Sequence, residues 1–595
     1  MIVPAGGRWW RPARLAVLFA GRTPVKIIIV GGVAGGTAAA ARLRRLDEQA
    51  EIVLFERGHN ISYASCGLPY YVSGLIAERN ELLMQTPESF RERYNIDVRV
   101  RQEVIRINRD QKTVLVKDYT THQETLHSYD KLILSPGAEP LIPKLFGVDS
   151  ERVKHLRTLD DADHIKSCMS SHSPHRVVIV GGGFIGLEMA EALRALNIHV
   201  TIIEMARQMV APIDFEMAAI VHHHLRSKGV EFYLGAEVAA FREHDDELII
   251  ALKNGAELKA HCALLSIGIK PETKLARESG LRIGETGGIF VNEFLQTSDP
   301  DIYAVGDAIE DTDPVLGIKR IIALGGPAAK QARIAATNIV LSNRESYGGS
   351  VGTAIAKVFD ISVAVTGHAS KFLKMKGVYY ASAIVHMSSH AGYYPGATPL
   401  TVKVIFCPDT GKIYGAQAVG SAGVDKVIET FSLACQCHLT VEQIMNMDQA
   451  YAPPFSSVKS PANMVCFIAD NMVRKRSRNK SWRDIELIYD DSVVLLDVRS
   501  DSEVAGGVIK NALHIPLRHL RARINDVPRN KTIYVYCATG LRSYLATRIL
   551  EQNGFTDVWN LSGGYKTWHD ASRQWHATAG SGHETIIKSG DIRND

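Results

Sequence analysis

The feature that most restricts this chain is a pattern that occurs twice. "VKIIIVGGVAGGTAAAARLRRL", beginning at Val25, reads as a β-branched strand, a glycine turn and an Ala-rich helix, and "EIVLFERG" then supplies a strand that ends on Glu56. "RVVIVGGGFIGLEMAEALRALNIHVTIIEMA", beginning at Arg176, repeats the order and ends on Glu204. Strand, glycine turn, helix and a strand-terminal acid about 20 residues on make the βαβ unit that takes a dinucleotide. The turn lets the backbone approach a pyrophosphate, the helix N-terminus meets its charge, and the acid accepts the adenosine ribose hydroxyls. One such motif is weak, but two, each with all its parts, demand a chain built on two nucleotide folds. The second has Gly181, Gly183 and Gly186 in register, whereas the first has Val33 at the second glycine position.

A chain of 595 residues exceeds what one core can hold. With 46% hydrophobic and 22% charged residues it has the composition of a globular protein, and no apolar run approaches the ~18 residues of a membrane span. A net charge of +4 gives no footprint for nucleic acid. Eight cysteines without regular spacing are not a disulfide framework, so a cytoplasmic location is expected. Residues 1–25 are expected to be a disordered extension, 471–480 a solvated basic linker and 576–595 a polar tail. "HHH" at 222–224 and "CQCH" at 435–438 fall on helices, where neighbours point ~100° apart, so no metal centre is expected and those cysteines are read as packing.

"SYASCGLPYY", residues 62–71, places Cys66 in a Gly-Pro turn shortly after the first motif. Between the two motifs and after them, "YDKLILSPGAEP" and "TSDPDIYAVGDAIE" resemble the segments that leave and re-enter the flavin domain of the two-dinucleotide-fold flavoprotein disulfide reductases. That resemblance implies an FAD domain (26–145 and 270–345) interrupted by an NAD(P)H domain (146–269) and followed by an α+β dimerisation domain (346–470). For FAD it implies Gly31, Gly32, Val33, Ala34, Gly35, Glu56, Arg57, Val104, Pro136, Gly137, Ala323 and Asp307, the last on the ribityl chain. For NAD(P)H it implies Gly181, Gly183, Phe184, Ile185, Gly186, Glu204 and Gly268.

In the glutathione-reductase type of site two cysteines lie five positions apart; here the residue five after Cys66 is Tyr71, so Cys66 works alone. The single-cysteine branch holds NADH oxidases and peroxidases, which cycle the thiol through sulfenic acid, and coenzyme A disulfide reductases, which form a mixed disulfide. "HAGYYPG" and "YAPPFSSVKSPAN" resemble the tyrosine-bearing segments of the latter, which serve the partner subunit's thiol. Tyr393 and Tyr451 then act on the leaving thiolate, and Arg42, Arg45, Ser62, Ser65 and Lys459 contact CoA. The family's "DKRID" stands here as "DKVIE", residues 425–429.

At the C-terminal end "VVLLDVRSDSEV", "IYVYCATGLRSYLATRILEQNGF" and "LSGGYKTW" resemble a rhodanese domain over residues 481–575. The six-residue loop Cys537 to Arg542 curls its N–H groups toward the sulfur and suits a persulfide anion. The expected fold class is therefore α/β, with two Rossmann-like domains, an α+β dimerisation domain and a C-terminal rhodanese α/β domain. The expected activity is reduction of CoA disulfide, CoA persulfide or polysulfide by NAD(P)H in a homodimer, with FAD and CoA as further cofactors. The alternatives are an NADH oxidase or peroxidase using Cys66 sulfenic acid, and a sulfane-sulfur carrier that its reductase half resets.

Overall fold

A computed structural model describes residues 24–171, 176–488 and 491–579. The extension expected over 1–25 therefore lies outside the described residues except for its last two positions. The tail expected from 576 begins inside a helix that runs to Ala579, and its remainder lies outside.

Each dinucleotide motif builds a five-stranded parallel sheet. The first has the spatial order Ile302–Ala304, Lys131–Leu134, Lys26–Val30, Glu51–Glu56, Asp97–Val100. The second runs Glu231–Leu234, His199–Glu204, Arg176–Val180, Cys262–Leu265, Val153–His155. Their central strands are continuous apolar runs because helices cover both faces. Each domain also carries a three-stranded antiparallel sheet. The chain passes between them twice, and the short strands Ala138–Pro140 and Ile269–Pro271 pair where it does so. Helix Ala34–Leu46 packs against helix Gly325–Leu341, and Ala39 and Ala40 of the first share one core with Ala332, Ala335 and Ala336 of the second.

The third unit is a five-stranded antiparallel sheet from Ala354 to Gly420, backed by helices Val424–Gln436 and Pro461–Val473. The fourth is a five-stranded parallel sheet with Thr532–Tyr536 at its centre.

The basic segment 471–480 is not a free linker. Its first three residues end helix Pro461–Val473, and Asn479–Lys480 is the edge strand of the fourth sheet. Several of its charges have partners: Arg474 bridges Asp470 at 2.9 Å and Glu442 at 2.8 Å, Arg478 meets Asp557 at 3.4 Å, and Lys480 lies 4.5 Å from the Trp559 ring centroid.

The C-terminal unit is docked on the others. Its closing helix, Gly564–Ala579, lies on helix Phe215–Ser227 of the second dinucleotide domain, and Phe215, Trp482 and Ala571 form a shared apolar cluster against which Trp575 packs. His222 is fully buried at this seam, accepting from Met209 N at 3.0 Å and facing Gln574 Oε1 at 2.7 Å. Burial pushes its imidazole down to about 3, so it sits there neutral. Beside it Lys403 meets Asp214 at 2.8 Å and Glu216 at 2.5 Å, and Trp482 Nε1 donates to the other Glu216 oxygen at 3.2 Å. A buried lysine between two carboxylates joins the third unit to the second dinucleotide domain, because separating them strands buried charge, and the Trp482 hydrogen bond ties the C-terminal unit to the same cluster.

Candidate active site

The first glycine turn is shaped for close backbone approach. Gly31 has φ +98°, and a Cβ there would stand 2.1 Å from the Ser135 carbonyl oxygen. Glu56 folds back onto the turn, taking Gly32 N at 2.7 Å and Gly58 N at 2.7 Å. Val33 is accommodated because its φ is −103°, a value that requires no glycine. It precedes helix Ala34–Leu46, whose N-terminus has no side-chain cap, so the first N–H groups remain for a ligand. Asp307 is half-buried and makes no hydrogen bond among the described residues; burial pushes its carboxyl up while Arg157 pulls it back. A half-buried acceptor without a donor is what a ribityl hydroxyl would satisfy.

Of the other residues expected here, Gly137 adopts φ +77°, the Pro136 carbonyl takes Arg157 Nη2 at 3.4 Å, and Ala323 precedes helix Gly325–Leu341. Val104 is buried in the antiparallel appendage. Arg57 lies among three carboxylates, 3.7 Å from Glu103, 3.8 Å from Glu139 and 3.9 Å from Glu272.

The second turn repeats the geometry. Gly181 has φ +110° and its Cβ would stand 2.2 Å from Ser266 O, whereas Gly183 faces open space at the uncapped N-terminus of helix Phe184–Ala195. Glu204 takes Gly182 N and Ala206 N, each at 2.7 Å. Ile185 is exposed, and Gly268, at φ +114°, follows the strand that lines this turn. Both cradles fit a dinucleotide.

Cys66 sits in a short 3-10 turn, Ser65–Gly67, with its thiol exposed. The turn is tied to the first glycine turn through Ser62 N to Gly32 O at 2.8 Å, with Ser62 at φ +46°. Tyr71 points away to the second domain and donates to Asp163 at 3.0 Å, so the position of a second cysteine is spent on a domain contact.

Glu188, which sequence reasoning passed over, lies on helix Phe184–Ala195. Burial, and then Glu191, push its carboxyl up from 4.5 to about 7. Burial, Glu188, Glu191 and Cys66 in turn raise the Tyr70 phenol, so all four groups share one electrostatic neighbourhood. The folded state holds a Glu188 proton that the unfolded chain has lost between about pH 4.5 and 7, so this group's contribution to stability falls as pH rises through that window. Glu188→Gln should therefore show a smaller loss of Tm across that range than the parent. Parallel Tm profiles would mean that Glu188 does not titrate there.

The CoA candidates fall into two groups. Arg45 is exposed, but Arg42 leans on helix Gly325–Leu341, its Nε and Nη2 each 3.4 Å from Thr337 Oγ1, and only Arg45 of the pair presents a free head. Ser65 is exposed beside Cys66. In the third unit the Tyr393 and Tyr451 hydroxyls are 3.1 Å apart, and Ala391 N to Pro453 O at 3.3 Å joins their segments. Lys459 is exposed just before the cap of helix Pro461–Val473. Tyr393, Phe455 and Val458 are 77%, 71% and 75% exposed, an apolar surface around the tyrosine pair.

In the C-terminal unit Cys537 is 1% exposed, and Gly540 N at 3.1 Å and Ser543 Oγ at 3.4 Å donate to its sulfur. Arg542 forks onto Glu503 at 2.7 and 2.6 Å, and that fork holds the Glu503 carboxyl down at about 2. Glu503, 39 residues away in sequence, is a second residue that the motif did not name. The closing helix buttresses the loop: Tyr565 N donates to Cys537 O at 2.7 Å and Lys566 N to Ala538 O at 3.0 Å.

The helical decoys diverge. His222 turns to the domain seam and His224 toward Asp360 at 3.9 Å; Cys435 is buried, while Cys437, expected to pack, ends its helix exposed.

Residues 25–332 match the family described as pyridine nucleotide-disulphide oxidoreductase, 353–462 its dimerisation domain and 485–571 the rhodanese-like domain. The coenzyme A disulfide reductase of Staphylococcus haemolyticus is 33% identical over 75% of this chain and 100% of its own length. A reduced Bacillus anthracis CoADR-RHD crystal structure is 44% identical, with TM-score 0.91 over 93% of this chain and 99% of that one. An NAD-dependent persulfide reductase from A. fulgidus is 37% identical, with TM-score 0.85 over 91% of this chain and 100% of that one. That family uses FAD and NAD(P)H, the two ligands that the cradles at Gly31 and Gly181 fit. The chain thus belongs to the pyridine nucleotide-disulphide oxidoreductases, with a rhodanese-like domain joined to its C-terminal side.

Proposed function

We propose that this protein reduces CoA disulfide, CoA persulfide or polysulfide with NAD(P)H, and that its rhodanese-like domain handles sulfane sulfur. The observation that carries the reading is an exposed lone thiol, Cys66, tethered to the flavin-domain glycine turn through Ser62 with Tyr71 in place of a resolving cysteine. The names of the staphylococcal and A. fulgidus relatives support the substrate class.

The chemistry the bound cofactors supply is a nicotinamide hydride and its relay through flavin as two electrons to sulfur. Cys66, as thiolate, attacks one sulfur of CoA disulfide; the S–S bond breaks, CoA leaves as thiolate, and Cys66 is left in a mixed disulfide with the other CoA. With CoA persulfide the same attack on the CoA-bearing sulfur releases hydrosulfide. The paired Tyr393 and Tyr451 hydroxyls protonate or orient the departing thiolate, and Arg45, Ser65 and Lys459 hold CoA. NADH-dependent release of CoA thiol or hydrosulfide, measured with CoA disulfide, CoA persulfide, polysulfide and oxygen each alone, tests the reading; turnover with oxygen only would replace it with an oxidase.

The working unit is a homodimer. The exposed surface around Tyr393, Phe455 and Val458 is covered by a second copy, whose Cys66 the tyrosine pair serves. Mixed dimers of an inactive Cys66→Ser chain and an inactive Tyr451→Phe chain should regain part of the activity, because one of their two sites is intact. Verified mixed dimers with no activity would place the whole site within one chain.

A further inference from the structure

Arg207 lies three residues beyond Glu204, the acid expected to meet the adenosine ribose, on a loop fixed at several points. Ala206 N donates to Glu204 and Ala206 O accepts from Gly235 N at 2.9 Å, while Val210 N reaches Gly182 O at 2.8 Å and Met209 N reaches His222. The nucleotide turn and the Arg207 loop are therefore one hydrogen-bonded unit.

Arg207 is exposed, yet no carboxylate pairs with it among the described residues. It contacts the rhodanese-like domain: the guanidinium carbon stands 5.4 Å from the centroid of the Trp575 ring. The indole itself is held in place, edge-on to Phe215 at 5.2 Å and to Trp482 at 6.0 Å, with Arg483 4.6 Å from the same ring. Gln574, the preceding residue, bonds His222 and so anchors the Arg207 loop from its other side.

A bare arginine this close to the ribose acid is the group that would accept a ribose 2′-phosphate and offset the repulsion from Glu204. Cation–π attraction at this distance from the indole restrains the guanidinium and competes with its turning toward a ligand. We propose that Trp575 is a specificity-determining residue: by holding Arg207, the rhodanese-like domain leaves Glu204 to select the nucleotide, so NADH is preferred over NADPH. This rests on the family's use of NAD(P)H and not on the sulfur substrate.

The probes are ADP-ribose and 2′-phospho-ADP-ribose, titrated calorimetrically into the full-length protein, so that only the adenosine half of the site is read. The parent should bind ADP-ribose more tightly. Trp575→Leu, which keeps apolar volume and removes the π face, should narrow the ratio about two- to fivefold with ADP-ribose affinity unchanged, the range expected for one exposed cation–π contact. Adding Arg207→Ala to Trp575→Leu should restore the parental ratio. Arg207→Ala alone, which leaves the domain seam intact, should change the ratio by less than about twofold, since the arginine is already withheld. A ratio unmoved or widened in Trp575→Leu overturns the proposal, as does a single Arg207→Ala that weakens the 2′-phosphate ligand about fivefold or more. Trp575→Leu that loses ADP-ribose itself reports undocking, and the single Arg207→Ala then decides.

Discussion

Cys66→Ser should stop every NADH-linked sulfur reduction, by roughly a thousandfold or more, as expected when the nucleophile of a covalent route is removed. The hydroxyl that replaces the thiol cannot form the mixed disulfide, and no second cysteine stands in the same turn, because the position five residues on is Tyr71 and its hydroxyl is committed to Asp163. The two glycine cradles and Asp307 are untouched by the change, so flavin reduction by NADH should survive. Transfer of sulfur from thiosulfate to cyanide should also survive, since Cys537 lies in a separate sheet with its own donors. A Cys66→Ser protein that still reduces CoA disulfide would remove this thiol from the reaction.

Cys537→Ser should have the opposite signature. The sulfur of Cys537 receives Gly540 N and Ser543 Oγ, with Arg542 held close by Glu503, so the loop is arranged around an anion on sulfur. A serine oxygen cannot carry a sulfane sulfur, and thiosulfate sulfurtransferase activity should fall to background. NADH consumption driven by a sulfur donor should slow, while reduction of preformed CoA persulfide stays near the parental rate. If donor-driven rates also stayed unchanged, the two sulfur centres would work independently, relay between them would lose its basis, and the carrier reading would gain.

The parts of the site that were legible in the sequence are those whose rule is local. A left-handed turn pressed against a carbonyl admits glycine at Gly31 and Gly181, and a strand-terminal acid folds back onto that turn at Glu56 and Glu204, so spacing alone locates them. Cys66 and the loop at Cys537 are legible for the same reason. Glu503 and Arg157 were not, because their roles come from partners far along the chain. The basic segment after helix Pro461–Val473 reads as solvated charge by composition, and its pairing with Glu442, Asp470 and Asp557 appears only once the fold brings those acids to it. Helical geometry in the His-rich stretch makes neighbouring side chains diverge, but nothing local shows that His222 is covered by a helix from another domain.

That last contact also has a consequence in time. His222 and Gln574 are 352 residues apart, so the seam on helix Phe215–Ser227 cannot be closed until nearly the whole chain has been made. At ~5–20 residues per second, translation leaves the apolar face that carries Phe215 uncovered for roughly 20–70 s. During that interval the second dinucleotide domain must hold its fold, or be protected by other factors, without the helix that completes its surface. Truncated chains that end before Gly564 should therefore be more prone to aggregate than the size of the missing segment suggests, because what they lose is the cover of a neighbour as well as a domain of their own.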